Sequence, residues 1–279
     1  MPVDPKKVGV ELPATEFTYT DKDVILYALG VGAGLREDEL PFVYEGGDLK
    51  TLPTFAVIPG LAACTGFTSV MDVNVVMLLH GEHGITVHRP IPTSGTLKST
   101  AKITGIFDKG KGAIVAVESK TSDGRGLLFE NRFSAFIRGE GGFGGDRGPS
   151  GEKNVPPERK PDLVDEMQTL RQQALLYRLS GDLNPLHADP AVAKMAGYDR
   201  PILHGLCTYG HAARAVLRNY CGNDPSRFGS FDVRFSGVVF PGETIVTEMW
   251  KQGNSIIVRC KVKERDAVVL SSAAATIRG

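Results

Sequence analysis

The sequence predicts an α+β fold made of two like subdomains, each an antiparallel sheet wrapped around a central helix. Three observations carry that expectation. Four short segments recur in the same order in the two halves of the chain, at offsets of about 140 to 150 residues. A Gly- and Pro-rich stretch separates the halves. The first half reads as a helical region followed by strand-like runs broken by turn residues, and the repeat extends that pattern to the second.

The repeat pairs Ile25-Leu26-Tyr27-Ala28-Leu29 with Leu175-Leu176-Tyr177-Arg178-Leu179, and Val57-Ile58-Pro59-Gly60-Leu61 with Ile202-Leu203-His204-Gly205-Leu206. It pairs Ser94-Gly95-Thr96-Leu97 with Pro241-Gly242-Glu243-Thr244-Ile245, and Ala135-Phe136-Ile137-Arg138-Gly139 with Ala275-Thr276-Ile277-Arg278-Gly279. Each match is weak alone, but their shared order is hard to reach by chance. Two such sheets can join edge to edge, which removes two exposed edges.

Taken in order, residues 1–20 are extended, and Thr20 or Asp21 can cap a helix through Val24–Leu29. Gly30-Val31-Gly32-Ala33-Gly34 follows a helix, whereas a dinucleotide fingerprint follows a strand, so this is no dinucleotide site. Leu78–Gly84 leads into strand-like Ile85–His88. Leu97–Phe107 reads as a strand, Asp108–Gly112 as a hairpin loop, and Ala113–Lys120 and Leu127–Arg138 as further strands. The expected division is a first unit over 1–139, a charged Gly/Pro-rich linker over 140–161, and a second unit over 162–279. The second unit opens with a helical-looking segment, Met167–Tyr177. Pro201–Cys207 opens another helix that runs to about Asn219.

Composition excludes several classes. Lys plus Arg and Asp plus Glu both number 32, so no global basic field exists to hold nucleic acid. No run approaches 18 apolar residues and the N-terminus has no apolar signal region, so a soluble chain without membrane contact is expected. Cys64, Cys207, Cys221 and Cys260 lack CxxC spacing and read as reduced thiols. The terminal Thr276-Ile277-Arg278-Gly279 is not an SKL-type address.

Chemistry concentrates in Leu179-Ser180-Gly181-Asp182-Leu183-Asn184-Pro185-Leu186-His187-Ala188-Asp189. Gly181 breaks the preceding helix, and Pro185 keeps Asn184 out of the αR region. A calcium loop would need Gly and Glu where His187 and Ala193 stand, and a zinc site from His187 and Asp189 lacks a third ligand. No metal or other cofactor is expected. Asp189 before Pro190 is a good helix N-cap. In the repeat, Asp182 aligns with Gly32 and Asn184 with Gly34. If those polar residues only shaped the loop, the first copy would need them too. A carboxylate and an imidazole held together can divide a proton transfer, and Asn184 can hold a water or a carbonyl oxygen. Gly205, at a helix N-terminus, offers a free N–H that can stabilise an oxyanion by about 3 kcal/mol. His204 reads as a core or capping residue, because the first copy has Pro59 there. Cys207 has no nearby base and Ser180 no nucleophile elbow. The loop therefore points to acid/base work on water and a carbonyl compound. Lys109, Lys111 and Arg234, near turns, can meet phosphates.

Tyr177-x-Leu179-Ser180-Gly181-Asp182-x-Asn184-Pro185-Leu186-His187 resembles the signature of the MaoC-like, R-specific enoyl-CoA hydratases. The likeness extends over nearly the whole chain, through Phe17–Leu29, Leu79-His80-Gly81-Glu82, Leu203-His204-Gly205-Leu206 and Val239-Phe240-Pro241-Gly242-Glu243, and is strongest to the hydratase 2 group of peroxisomal β-oxidation. The resemblance implies a double hot-dog fold and addition of water to trans-2-enoyl-CoA, giving the (3R)-hydroxyacyl-CoA. It implies Asp182 and His187 as the catalytic pair, Asn184 as their support and the Gly205 N–H on the thioester carbonyl. His80, Gly81, Lys109, Leu183, Pro185, Leu186 and Phe235 would line the acyl-CoA site. It further implies a homodimer, a peroxisomal or otherwise cytoplasmic setting, and a first unit without catalytic residues that makes room for bulky acyl chains. Two rival activities share the fold or the ligand: an acyl-CoA thioesterase and a non-catalytic acyl-CoA-binding module.

Overall fold

The computed structural model describes residues 3–151 and 153–279. The first half contributes β1 (Glu11–Tyr19), α1 (Asp21–Gly30), α2 (Val57–Thr65), β2 (Leu78–Val87), β3 (Gly95–Asp108), β4 (Gly112–Asp123) and β5 (Gly126–Arg138). The second contributes β6 (Leu163–Gln168), α3 (Gln173–Tyr177), α4 (Pro190–Met195), α5 (Gly205–Cys221), β7 (Phe228–Phe235), β8 (Thr244–Gln252), β9 (Ser255–Val262) and β10 (Ala267–Ile277). Capping residues set the helix starts as the sequence suggests. Asp23 accepts from the Thr20 amide and hydroxyl before α1, and Asp189 accepts from Ala191 N–H before α4.

All ten strands form one antiparallel sheet in the order β1-β3-β4-β5-β2-β7-β10-β9-β8-β6. Exchanging each strand for its counterpart five places later turns one half of that order into the mirror of the other. The halves meet where β2 pairs with β7, from Glu82 opposite Arg234 to Thr86 opposite Ser230. The edge-to-edge join therefore exists, and among the described residues β1 and β6 are the outer edges. The repeated segments fall at matching places: the entries to α2 and α5, the starts of β3 and β8, and the ends of β5 and β10.

One expectation needs correcting. Met167 and Gln168 lie in β6, and the helix starts only at Gln173. Six residues of strand show too few alternations to stand out against the helical spacing that follows. The two central helices are unequal. α5 has 17 residues, whereas α2 has 9 and passes at Gly66 into a 3-10 turn. α2 is pressed against β5. A Cβ on Gly60 would come within 2.1 Å of the Asn131 amide, which itself donates to Ala56 C=O.

α5 is buried almost all round, with Cys207, Tyr209, Ala212, Ala215 and Val216 in the core. Polar groups on such a helix need partners, and the first half supplies them. Arg214 Nη1 donates to Val31 C=O at 2.7 Å and the same guanidinium pairs with Glu39. Arg218 faces Glu39 at 3.6 Å and also pairs with Asp165 of β6, in its own half. In return, Gln173 donates to Leu29 and Gly30 carbonyls at the end of α1. The loop after α1 is thus fastened by side chains of the other half. Asp108, at the end of β3, takes backbone N–H groups of Gly110, Gly142 and Gly144 and ties the start of the inter-half segment to the sheet.

Candidate active site

The loop between α3 and α4 is shaped by three local constraints. Gly181 has φ of +129°, a conformation that favours glycine. Asn184 has φ −52° and ψ 122°, as a residue before proline requires. Its side-chain oxygen accepts from Leu186 N–H at 3.0 Å and caps the 3-10 turn Pro185–His187. Asp182 Oδ1 accepts from Asn184 N–H at 3.2 Å. Asn184 is therefore seen holding the loop, with its oxygen engaged there.

His187 is 8% exposed and His204 is 1% exposed. His187 Nδ1 lies 2.9 Å from Ile202 C=O. A carbonyl only accepts, so Nδ1 carries the proton and the neutral ring keeps its lone pair on Nε2. His204 Nε2 lies 3.1 Å from the Asp182 backbone C=O, so it donates and its lone pair is on Nδ1. The two rings stack at 3.7 Å between centroids and 28° between planes. Tyr177 lies on His204 at 4.9 Å. A donor atom from each of Asp182, His187 and His204 falls within 4.8 Å of the other two.

Burial lowers the pKa of His187 below the usual imidazole value, opposed by the Ile202 carbonyl and the Asp182 charge. Burial and then His187 hold His204 down to about 3. Both rings are neutral at pH 7, and a ring nitrogen of His187 lies within 4.8 Å of an Asp182 carboxylate oxygen. A carboxylate and a neutral imidazole so placed can share the handling of a proton. The arrangement does not suit a metal ion. A metal binds in the plane of an imidazole at about 2.0–2.1 Å, and two stacked rings direct their lone pairs within separate planes.

Further residues join in a chain of contacts. Gly205 follows His204 as the first residue of α5, where the N–H has no intrahelical acceptor. A Cβ there would meet the Phe235 ring at 3.1 Å. Phe235 lies 4.8 Å from the His80 ring. Gly81 sits at a bulge of β2, between His80 and Glu82. His80 Nε2 is 3.2 Å from His83 Nδ1, and His83 Nε2 is 3.1 Å from Asn131 Oδ1. Burial pushes His80 well below the ordinary value and His83 down to about 4. Leu183 and Pro185 are exposed on the loop and Leu186 is half-buried. Lys109 stands apart at the β3–β4 turn. Its ammonium is held by the carbonyls of Arg147 and of Pro149, the latter at 3.3 Å. Three strand spacings, about 14 Å, separate β3 from β2. Arg234 is paired with Glu82 at 2.7 Å.

Cys207 is no nucleophile. Burial raises its thiol well above the usual range, and Sγ donates to Gly30 C=O at 3.2 Å. The sequence pattern did not assign Ile202, whose carbonyl fixes the His187 tautomer, and it left His204 in the core. The asymmetry of His204 against Pro59 in the repeat was the signal available for the latter.

Comparison with known proteins agrees with this geometry. Residues 17–139 match the family model "MFE-2 hydratase 2 N-terminal domain" and residues 152–273 the "MaoC like domain". A Dictyostelium discoideum "probable enoyl-CoA hydratase 2" is 46% identical over 99% of this chain and 97% of its own. A Neurospora crassa "peroxisomal hydratase-dehydrogenase-epimerase" is 45% identical over 98% of this chain, which spans only 31% of that longer protein. The crystal structure of a MaoC-like dehydratase from Phytophthora capsici superposes with TM-score 0.90 at 35% identity, covering 99% of this chain and 98% of the other. A Mycobacterium tuberculosis protein described as a double hotdog fold superposes at 0.62 with 13% identity, covering 97% and 96%, a likeness of fold alone. With family models over both halves, close relatives along its whole length and one ten-stranded double hot-dog sheet, this chain belongs to the MaoC-like hydratase 2 family.

Proposed function

We propose that this chain adds water across the double bond of trans-2-enoyl-CoA, forming (3R)-3-hydroxyacyl-CoA in fatty-acid β-oxidation. The observation that carries this is a His187 ring nitrogen within 4.8 Å of the Asp182 carboxylate, in a ring whose Nδ1–H is held by Ile202 C=O, with the Gly205 N–H at the adjoining helix end. A water held by the two acceptors loses a proton to the pair as its oxygen bonds to C3. The π electrons move toward the thioester, whose oxygen takes the developing charge against the Gly205 N–H. The pair then returns one proton to C2, so the enzyme ends unchanged. Thioester hydrolysis would direct the water at the carbonyl carbon, and a binding module has no use for a paired base. The relatives named as enoyl-CoA hydratase 2 favour the hydration.

In this reading residues 162–279 carry the catalytic loop. Residues 1–139 form a non-catalytic unit that makes room for the acyl chain, and 140–161 link the two. Gly32 and Gly34, where the second half has Asp182 and Asn184, support that division. His80, Gly81, Leu183, Pro185, Leu186 and Phe235 line the acyl-CoA path, and Lys109 takes its distal phosphates. We propose a peroxisomal setting, supported by the peroxisomal name of the Neurospora relative and testable by cell fractionation. We also propose a homodimer, supported by Leu175, Leu179 and Leu183 standing 52–59% exposed on neighbouring segments. Sedimentation is expected to give twice the 30.0 kDa chain mass, and a monomer at all concentrations would sink it.

The test is loss of enoyl-thioester absorbance with a medium-chain trans-2-enoyl-CoA, the product then being offered to R- and S-specific dehydrogenases. Oxidation by the R-specific enzyme is expected. Free thiol release without hydration would establish the thioesterase instead, and acyl-CoA binding without either would establish the module.

A further inference from the structure

His204 touches both Asp182 and His187 and is assigned no role by the reaction as written. Its Nε2–H holds the Asp182 backbone carbonyl at 3.1 Å, its face lies 3.7 Å from the His187 ring, and its backbone is the N-cap of α5, next to Gly205. Tyr177 packs against the His204 ring, tilted by 53°, at 4.9 Å between centroids. The His204 Nδ1 is buried without a hydrogen-bond partner among the described residues. The ring therefore makes one polar contact and one stacking contact on the site, and each is directed at one member of the proposed catalytic pair.

We propose that His204 is the positioning residue of this site: its Nε2–H fixes the loop at Asp182, and its ring face fixes the plane and desolvation of His187. The inference rests on the proposed hydratase reading and deepens it. The geometry has a direct consequence. Asp182 is held at two points, its carboxylate by the Asn184 N–H at 3.2 Å and its backbone carbonyl by the His204 Nε2–H at 3.1 Å, and the second of these ties the loop to the start of α5 beside His187. His187 is held at one edge by Ile202 and on one face by His204. The titratable and charged groups facing the two stacked rings are Asp182, Tyr177 and Arg178. His204 itself stays neutral, so it excludes water from His187 without adding charge.

Two substitutions separate the contacts. His204→Phe keeps a ring on His187 and removes the donor to Asp182. His204→Gln keeps an N–H at the position of Nε2 and removes the ring. The Phe variant is expected to lose about tenfold to a hundredfold in kcat with KM within about threefold, because misplacement by a fraction of an ångström has that scale of effect. The Gln variant is expected to rescue most of that loss. It should also move the acid limb of kcat/KM, and the His187 titration followed by NMR on histidine-labelled protein, up by about half a pH unit, since a better solvated imidazolium is favoured. A Phe variant turning over within twofold of the parent, or a Gln variant whose His187 titration stays put, would overturn the proposal. Should the Phe variant fail to fold, the Gln titration decides alone. The titration needs no turnover. A wild-type chain that hydrates nothing but shows the shift in the Gln variant rejects the hydratase reading and keeps the positioning role.

Discussion

Asp182→Asn is expected to lower kcat by about 10³-fold with little change in thermal stability, and His187→Gln by about 10² to 10⁴-fold, the range of general acid/base catalysis. The amide of Asn keeps the size of the side chain and an oxygen for the Asn184 N–H. It removes the charge, and with it an acceptor strong enough to take or share the proton of water. The backbone carbonyl that His204 holds is untouched by the change. Gln at 187 fills much of the imidazole volume but has no basic nitrogen. Because the two groups handle one proton between them, the double variant is expected to be little worse than the poorer single one. The readout is the enoyl-thioester assay beside a melting curve. Activity within tenfold of the parent for either single variant would remove that residue from the proposed pair.

Glu39→Gln is expected to destabilise the fold by about 3 kcal/mol or more, the usual effect of breaking a buried ion pair. The side chains of Glu39 and Arg214 are 3% and 5% exposed. The carboxylate also takes Gly34 N–H at 3.2 Å and faces Arg218 at 3.6 Å. Burial already lowers the pKa of Arg214, offset in part by Glu39. Without that carboxylate, a guanidinium stays in the core with Val31 C=O as its remaining close partner. For a chain of this size the loss corresponds to about 6 °C or more in Tm. Replacing Glu39 and Arg214 together with apolar residues of similar volume is expected to recover much of it. A single variant within about 1 kcal/mol of the parent in urea unfolding would show that the pair contributes little. Substrate affinity is not expected to change in step with stability, because Glu39 is remote in contact from Asp182 and His187.

Much of this molecule is legible as sequence because it was written twice. The repeat anticipates the mirrored strand order and the β2–β7 join, neither of which local propensity contains. The loop from Leu179 to Asp189 is legible because Gly181, Asn184 and Pro185 constrain the backbone by their covalent chemistry alone. What escaped depends on distant partners. β6 is defined by β8, some eighty residues on in the chain. The Glu39–Arg214 pair joins residues 175 positions apart, and nothing near either announces the other. His204 was passed over because Pro59 stands opposite it, although the same comparison had singled out Asp182 against Gly32. Applied evenly, that argument points to both.

Gly32 also bears on the history of the chain. It has φ +79°, and a Cβ there would lie 2.7 Å from His211 Nε2 and 3.2 Å from Arg214. The space that a carboxylate would need in the first loop is occupied by the helix of the other half. An ancestor with two equal halves could lose the first acid by one substitution, but once His211 and Arg214 had closed over the glycine, one substitution no longer brings it back. In this fold, putting a carboxylate back at position 32 requires the His211 and Arg214 side chains to move as well, so the two loops are not interchangeable by one substitution.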